Sequence, residues 1–108
     1  MSGDCYEANG RHLLNQGFVD KAGGYVLVHG VAILKTDGKP FGHCWIEKSN
    51  AVYDYSNGRS INIPKKVFYA LGQMPVKGYK NYKYKFEDLR KRVAKYGHWG
   101  PWDSKPPR

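Results

Sequence analysis

Residues 25–55, YVLVHGVAILKTDGKPFGHCWIEKSNAVYDY, decide the fold. Tyr25 to Leu34 is dense in Val, Ile and Leu, opens after Gly23-Gly24 and stops before Asp37-Gly38, which reads as a buried strand ending in a turn. Phe41 to Glu47 reads as a second strand. Lys48, Ser49 and Asn50 make another turn, and Ala51 to Tyr55 a third strand. Three strands joined by tight turns form an antiparallel meander, which Asn57-Gly58 ends.

Upstream, the first segment reads as a helix with Asp4 as N-cap and Glu7 three residues later, as in a capping box. Cys5 falls at the first helical position, and the helix is expected to fade near Gly17. Downstream, Pro64 opens a short helix through Leu71 that Gly72 ends. Tyr82 to Phe86 alternates aromatic residues with lysine, as a strand does. Phe86, Leu89, Val93 and Tyr96 then recur at helical spacing. Residues 97–108, with three prolines and two tryptophans, are expected to form an irregular tail pinned by Trp99 and Trp102. The expected fold is α+β: an N-terminal helix packed on an antiparallel sheet, with a C-terminal amphipathic helix. A length of 108 residues without repeat or linker suits a single domain spanning 1–108.

The bulk composition narrows the function. No apolar run is long enough to span a bilayer, and the N-terminus lacks a basic-then-apolar secretory pattern, so a cytoplasmic protein with no membrane partner is expected. In that setting Cys5 and Cys44 are free thiols rather than a disulfide. The formal charge of +9 favours acidic partners.

The chemistry starts at Cys5. A thiol at a helix N-terminus lies at the positive end of the helix dipole beside free N–H groups, and both favour the thiolate, the attacking form in nucleophilic catalysis. A two- or four-residue turn around Ser49-Asn50 gives one of two registers. In one, His43 faces Asp54; in the other they are diagonal neighbours on the same face. An Asp beside a His fixes its tautomer and stabilises the imidazolium. Cys44 points to the opposite face from His43 and is expected in the core. Trp45 and Phe41 share the His43 face, where they can wall a substrate groove or equally form plain core.

Helix-start Cys, strand His, next-strand Asp is a chain order that resembles papain-like and transglutaminase-like cysteine sites. Gly3-Asp4-Cys5-Tyr6, Gly42-His43-Cys44-Trp45-Ile46-Glu47 and Val52-Tyr53-Asp54 carry the resemblance, over about the first 60 residues. The middle segment is similar to the His-x-Trp strand of the transglutaminase core. The resemblance implies a papain/transglutaminase-like core with a Cys5 nucleophile, a His43 base and an Asp54 orienter. The implied activity is that of a cysteine hydrolase or acyltransferase (amidase, peptidase or transglutaminase-like) acting on a protein or other amide- or thioester-containing substrate. No cofactor is implied. Papain-type sites carry an oxyanion-stabilising Gln before the Cys; here four residues precede Cys5 and none is Gln. The Cys5 N–H therefore needs a second donor, for which Asn9, Tyr25 and His29 are candidates.

Two rival readings stand beside this one. A zinc site from Cys5, His12, His29 and His43 matches no standard ligand spacing. A nonenzymatic nucleic-acid surface would use Lys80, Lys83, Lys85, Arg90, Lys91 and Arg92 between Lys77 and Lys95, with Tyr79, Tyr82 and Tyr84 interleaved. Strand alternation opposes it, since lysine and tyrosine then lie on opposite faces.

Overall fold

The computed structural model describes residues 4–20 and 24–107. Gly3, Gly23 and Arg108 therefore lie outside the described residues. The elements are α1 (Cys5–Asp20), β1 (Val26–Ile33), β2 (Pro40–Lys48), β3 (Ala51–Asp54), β4 (Ile61–Pro64), α2 (Lys65–Gly72), β5 (Tyr82–Tyr84) and α3 (Phe86–Tyr96), with a single 3-10 turn over Ser56–Gly58. The five strands form one antiparallel sheet in the order β4-β3-β2-β1-β5. The α+β expectation holds, and the meander extends to a fourth strand, β4, that the sequence reading left out. Among the described residues no helix is long and apolar enough to cross a membrane.

Strand alternation sorts the side chains onto two faces. Leu27, Cys44, Ile46 and Tyr84 point to one face and pack with Cys5 and Leu13 of α1 and Leu89 of α3. Val28, Trp45 and Val52 point to the other and pack with Phe68 of α2. The sheet is thus a middle layer between α1 and α3 on one side and α2 on the other.

Among the described residues the buried side chains of α1 are those of Cys5, Asn9 and Leu13, each four residues from the next. That spacing is one stripe on one helix face. A helix in contact with a sheet normally fills this stripe with apolar residues; here a thiol and an amide take two of three places. The expected capping box is replaced by longer-range contacts. The Asp4 carboxylate accepts the Asn57 backbone N–H at 2.9 and 3.1 Å, and Glu7 accepts from Arg11 Nε at 2.7 Å. Asp4 thereby ties the helix start to the loop after β3. The helix runs past Gly17 to Asp20.

At the other elements the differences are small. Asn57 takes a left-handed φ of 57° in the turn between β3 and β4, so Asn57-Gly58 connects two strands of the meander rather than ending it. Pro64 closes β4 and caps α2 rather than entering it, and Gln73, left-handed at φ 54°, terminates the helix just after Gly72. One close approach needs a glycine. Gly30 pairs with His43 across β1 and β2, and a Cβ there would lie 2.6 Å from Trp45 Cη2 and 2.4 Å from Asn81 Oδ1. The tail is held as the tryptophans suggest: Trp99 lies against Gly10 of α1, and Trp102 packs on His29 and Tyr84.

Candidate active site

β2 and β3 turn at Ser49-Asn50, and Lys48 pairs with Ala51, Glu47 with Val52 and Ile46 with Tyr53. His43 and Asp54 are consequently diagonal neighbours. Both lie on the α2 face, where the His43 ring stacks 5.9 Å from Trp45 and 6.2 Å from Phe68. His43 Nε2–H donates to Asp54 Oδ2 at 2.9 Å. Asp54 Oδ1 accepts from the Ser56 backbone N–H and from Asn9 Nδ2, both at 3.0 Å. The carboxylate is 2% exposed, so each of these bonds acts in a medium with little water to compete.

Cys5 approaches from the opposite side of the sheet, in the core cluster with Cys44. A continuous sheet would separate it from His43, and Asn9 removes that barrier. In a hairpin closed by Lys48 and Ala51, the hydrogen-bonded pairs alternate, so the rung after Ile46 and Tyr53 belongs to Cys44 and Tyr55. There Tyr55 N–H would donate to the Cys44 carbonyl. Instead Tyr55 N–H donates to Asn9 Oδ1 at 2.9 Å, and Asn9 Nδ2 donates to Cys44 O at 2.9 Å. The side-chain amide is spliced into the ladder, prising β3 from β2. Its Nδ2 also reaches Cys5 O at 3.1 Å. The partners fix the amide's orientation: a carboxylate and two carbonyls only accept, and a backbone N–H only donates.

With Nε2 committed to Asp54, the ring atom left for the thiol is Nδ1, which is buried and makes no hydrogen bond; Cys5 lies near enough to act on the imidazole's titration. Burial alone would discharge His43, but the Asp54 hydrogen bond and Cys5 outweigh it and push its pKa up to about 9. Asp54 is held well below the usual carboxylate range: burial opposes this, and the His43 bond and charge, Asn9 and the Ser56 N–H overcome it. Burial first, and then the charges of Cys5 and Asp54, drive Cys44 the other way and keep it a neutral thiol.

These shifts have a signed consequence for stability. Asp54, shifted down, contributes above its unfolded value of 3.8 and loses that contribution as pH falls further. His43, shifted up, contributes fully below 6.5 and loses the contribution as pH rises through about 9. The urea midpoint is therefore expected to decline from pH 7 to pH 10, and more shallowly in His43→Gln. Parallel curves for the two proteins over that range would refute the assignment.

The other candidates fall elsewhere. Asn9 is no oxyanion donor, because its amide is consumed by Asp54, Cys44 and Cys5; it positions the site instead. Tyr25 lies beside Leu13 and Tyr53, two helical turns along α1 from Cys5. His29 points to the α1 face, since its neighbour Gly30 is the residue paired with His43. It is fully buried among Tyr6, Tyr84 and Trp102. Burial lowers its pKa to about 3, Asp103 opposing and Arg92 assisting, so His29 is neutral. Trp45 is also fully buried, and its Nε1–H donates to Glu47 Oε2 at 2.9 Å. It backs the His43 ring. Phe41 does line a cavity beside His43. Among the described residues no cluster of His, Cys, Asp and Glu could hold a metal.

The basic residues are dispersed. Lys83 turns to the α2 face, 3.8 Å from Glu47, while Tyr84 is buried on the other face. Arg90 pairs with Glu87, Arg92 with Asp103, and Lys80 lies 4.9 Å over the Tyr82 ring. Lys85 and Lys91 are exposed.

The sequence reading missed the role of Asn9. The available signal was a polar residue at Cys5 plus four, in line with Leu13 on the stripe that faces the sheet. Comparison with protein-family models, with curated proteins and with solved structures finds no match.

Proposed function

We propose that the protein is a cysteine acyl-transfer enzyme of papain-like or transglutaminase-like type, with Cys5 as nucleophile, His43 as its proton partner and Asp54 as orienter. The observation that carries this is the opened rung between Cys44 and Tyr55. A structural sheet gains nothing from losing a backbone rung to a buried amide, whereas a site that joins a helix-start thiol to an imidazole across the sheet requires the gap.

With its pKa pushed up to about 9, His43 holds its proton at neutral pH, so its role toward the attacking sulfur is that of an imidazolium partner more than that of a free base. The thiolate attacks the carbonyl of an amide or thioester, and the carbonyl electron pair moves onto oxygen. The Cys5 backbone N–H, in the first turn of α1 where N–H groups have no helical acceptor, is placed to receive that oxyanion. Collapse expels the leaving amine or thiol, which takes the His43 proton. The neutral imidazole then accepts a proton from the water or amine that attacks the thioester, and release of Cys5 restores the ion pair.

The test is iodoacetamide alkylation of Cys5 between pH 5 and 9, followed by mass spectrometry. At pH 6 the wild type is expected to react at least tenfold faster than His43→Ala, with Cys44 unmodified in both. Equal rates at Cys5 in the two proteins would end the thiolate–imidazolium reading.

A further inference from the structure

A cavity of about 390 Å³ opens on the α2 face against the His43–Asp54 pair. A volume of that size is in the range of small-molecule sites. Its apolar walls come from four elements: Ala32 and Ile33 of β1, Phe41 of β2, Ile63 of β4, and Phe68 and Leu71 of α2. Leu71 is 50% exposed, which leaves a large apolar side chain in water when the cavity is empty. Its lining includes one carboxylate, Asp54, and both oxygens of that group are occupied by His43, Asn9 and Ser56. Lys35 and Arg59 stand at the rim, and Arg59 makes no ion pair among the described residues.

We propose that this cavity is the acyl subsite, taking an extended apolar acyl group that carries an acid group at its far end for Arg59. The inference rests on the acyl-transfer reading above and specifies its substrate class. His43 and Asp54 both line the cavity, and Cys5 acts on the same imidazole. An acyl group bound in the cavity would therefore lie against His43 on the α2 face, and its carbonyl would have to meet the sulfur at the edge of that ring. Between Phe41, Ile63 and Phe68 the wall is apolar and disfavours a polar group at that depth, while the polar side chains of the lining, Lys35, Thr36 and Arg59, suit the far end of the acyl chain. The cationic rim gives the far end its sign preference, in keeping with the chain's positive charge of +9.

The experiment is acylation of Cys5 by a series of p-nitrophenyl esters, read as nitrophenolate release and as the mass added to Cys5. Each buried methylene adds about fourfold, so kcat/KM is expected to rise roughly 10²-fold from acetyl to hexanoyl. The ester of adipic acid, hexanoyl-like with a terminal carboxylate, is expected to exceed hexanoyl by several-fold at low salt. Arg59→Ala removes that last gain, and Leu71→Asp collapses the hexanoyl-to-acetyl ratio. A profile that is flat or favours acetyl, with iodoacetamide still showing an activated Cys5, overturns this inference alone. A Cys5 inert to every ester and no more reactive than in His43→Ala overturns the acyl-transfer reading and this inference with it.

Discussion

Replacing Cys5 with alanine is expected to abolish acyl-enzyme formation, with a loss of at least 10³-fold in the release of nitrophenolate from an activated ester. The residue is 5% exposed and fills a small place beside Cys44, so the deletion of one sulfur costs little packing. The variant is expected to unfold within about 1–2 kcal/mol of the wild type. Cys44→Ala supplies the contrast. Cys44 is completely buried, its thiol is kept neutral, and it points away from His43. Its removal leaves a small cavity and lowers stability, but the ester reaction should persist. Turnover that survives in Cys5→Ala and fails in Cys44→Ala would reverse the assignment of the nucleophile.

The second large effect belongs to Asn9. Asn9→Leu keeps the volume and deletes every hydrogen bond. Tyr55 N–H and Cys44 O then lose their partners in a buried setting, and Asp54 Oδ1 keeps only the Ser56 N–H. Each stranded buried group costs about 1–3 kcal/mol, so a loss of about 2–4 kcal/mol is expected from urea denaturation. Asn9→Ala has a second route open to it. With the wedge gone, Tyr55 N–H can bond Cys44 O directly and the ladder can close. The fold is then retained, the passage between the two faces is shut, and the alkylation rate at Cys5 falls toward that of His43→Ala. Hydrogen exchange at the Tyr55 amide reports the closed rung. A variant that is both as stable and as reactive as the wild type would show that the amide plays no part in opening the sheet.

The strand pattern was readable because its causes are local. Apolar alternation placed β1, β2 and β3, Asp37-Gly38 and Ser49-Asn50 marked their turns, and Phe86, Leu89 and Val93 marked α3. The shared face of His43 and Asp54 was legible in both registers that the turn allowed; the structure chose the two-residue turn and with it the diagonal placement. β4 was less legible: Ile61 and Ile63 make a strand of only four residues whose pairing with β3 supplies what its own pattern lacks. Trp45 lies on the His43 face as the alternation gave it, and the structure buries both it and His29. A sequence gives the face of a strand, but a fully buried face and a groove-lining face read alike.

From the sequence alone came the α+β composition, the antiparallel order of the first three strands, the shared face of His43 and Asp54, and the opposite orientation of Cys44. All depend on period-two alternation and turn length, which are properties of neighbouring residues. What only the tertiary structure decided is how α1 enters the sheet: the helix packs on one face, and the side-chain amide of Asn9 replaces one backbone hydrogen bond of the Cys44–Tyr55 rung with two. That substitution connects residues 35 and 46 positions apart in the chain, Cys44 and Tyr55 with Asn9. No local pattern encodes it, because its energy appears only when helix and sheet are already in contact.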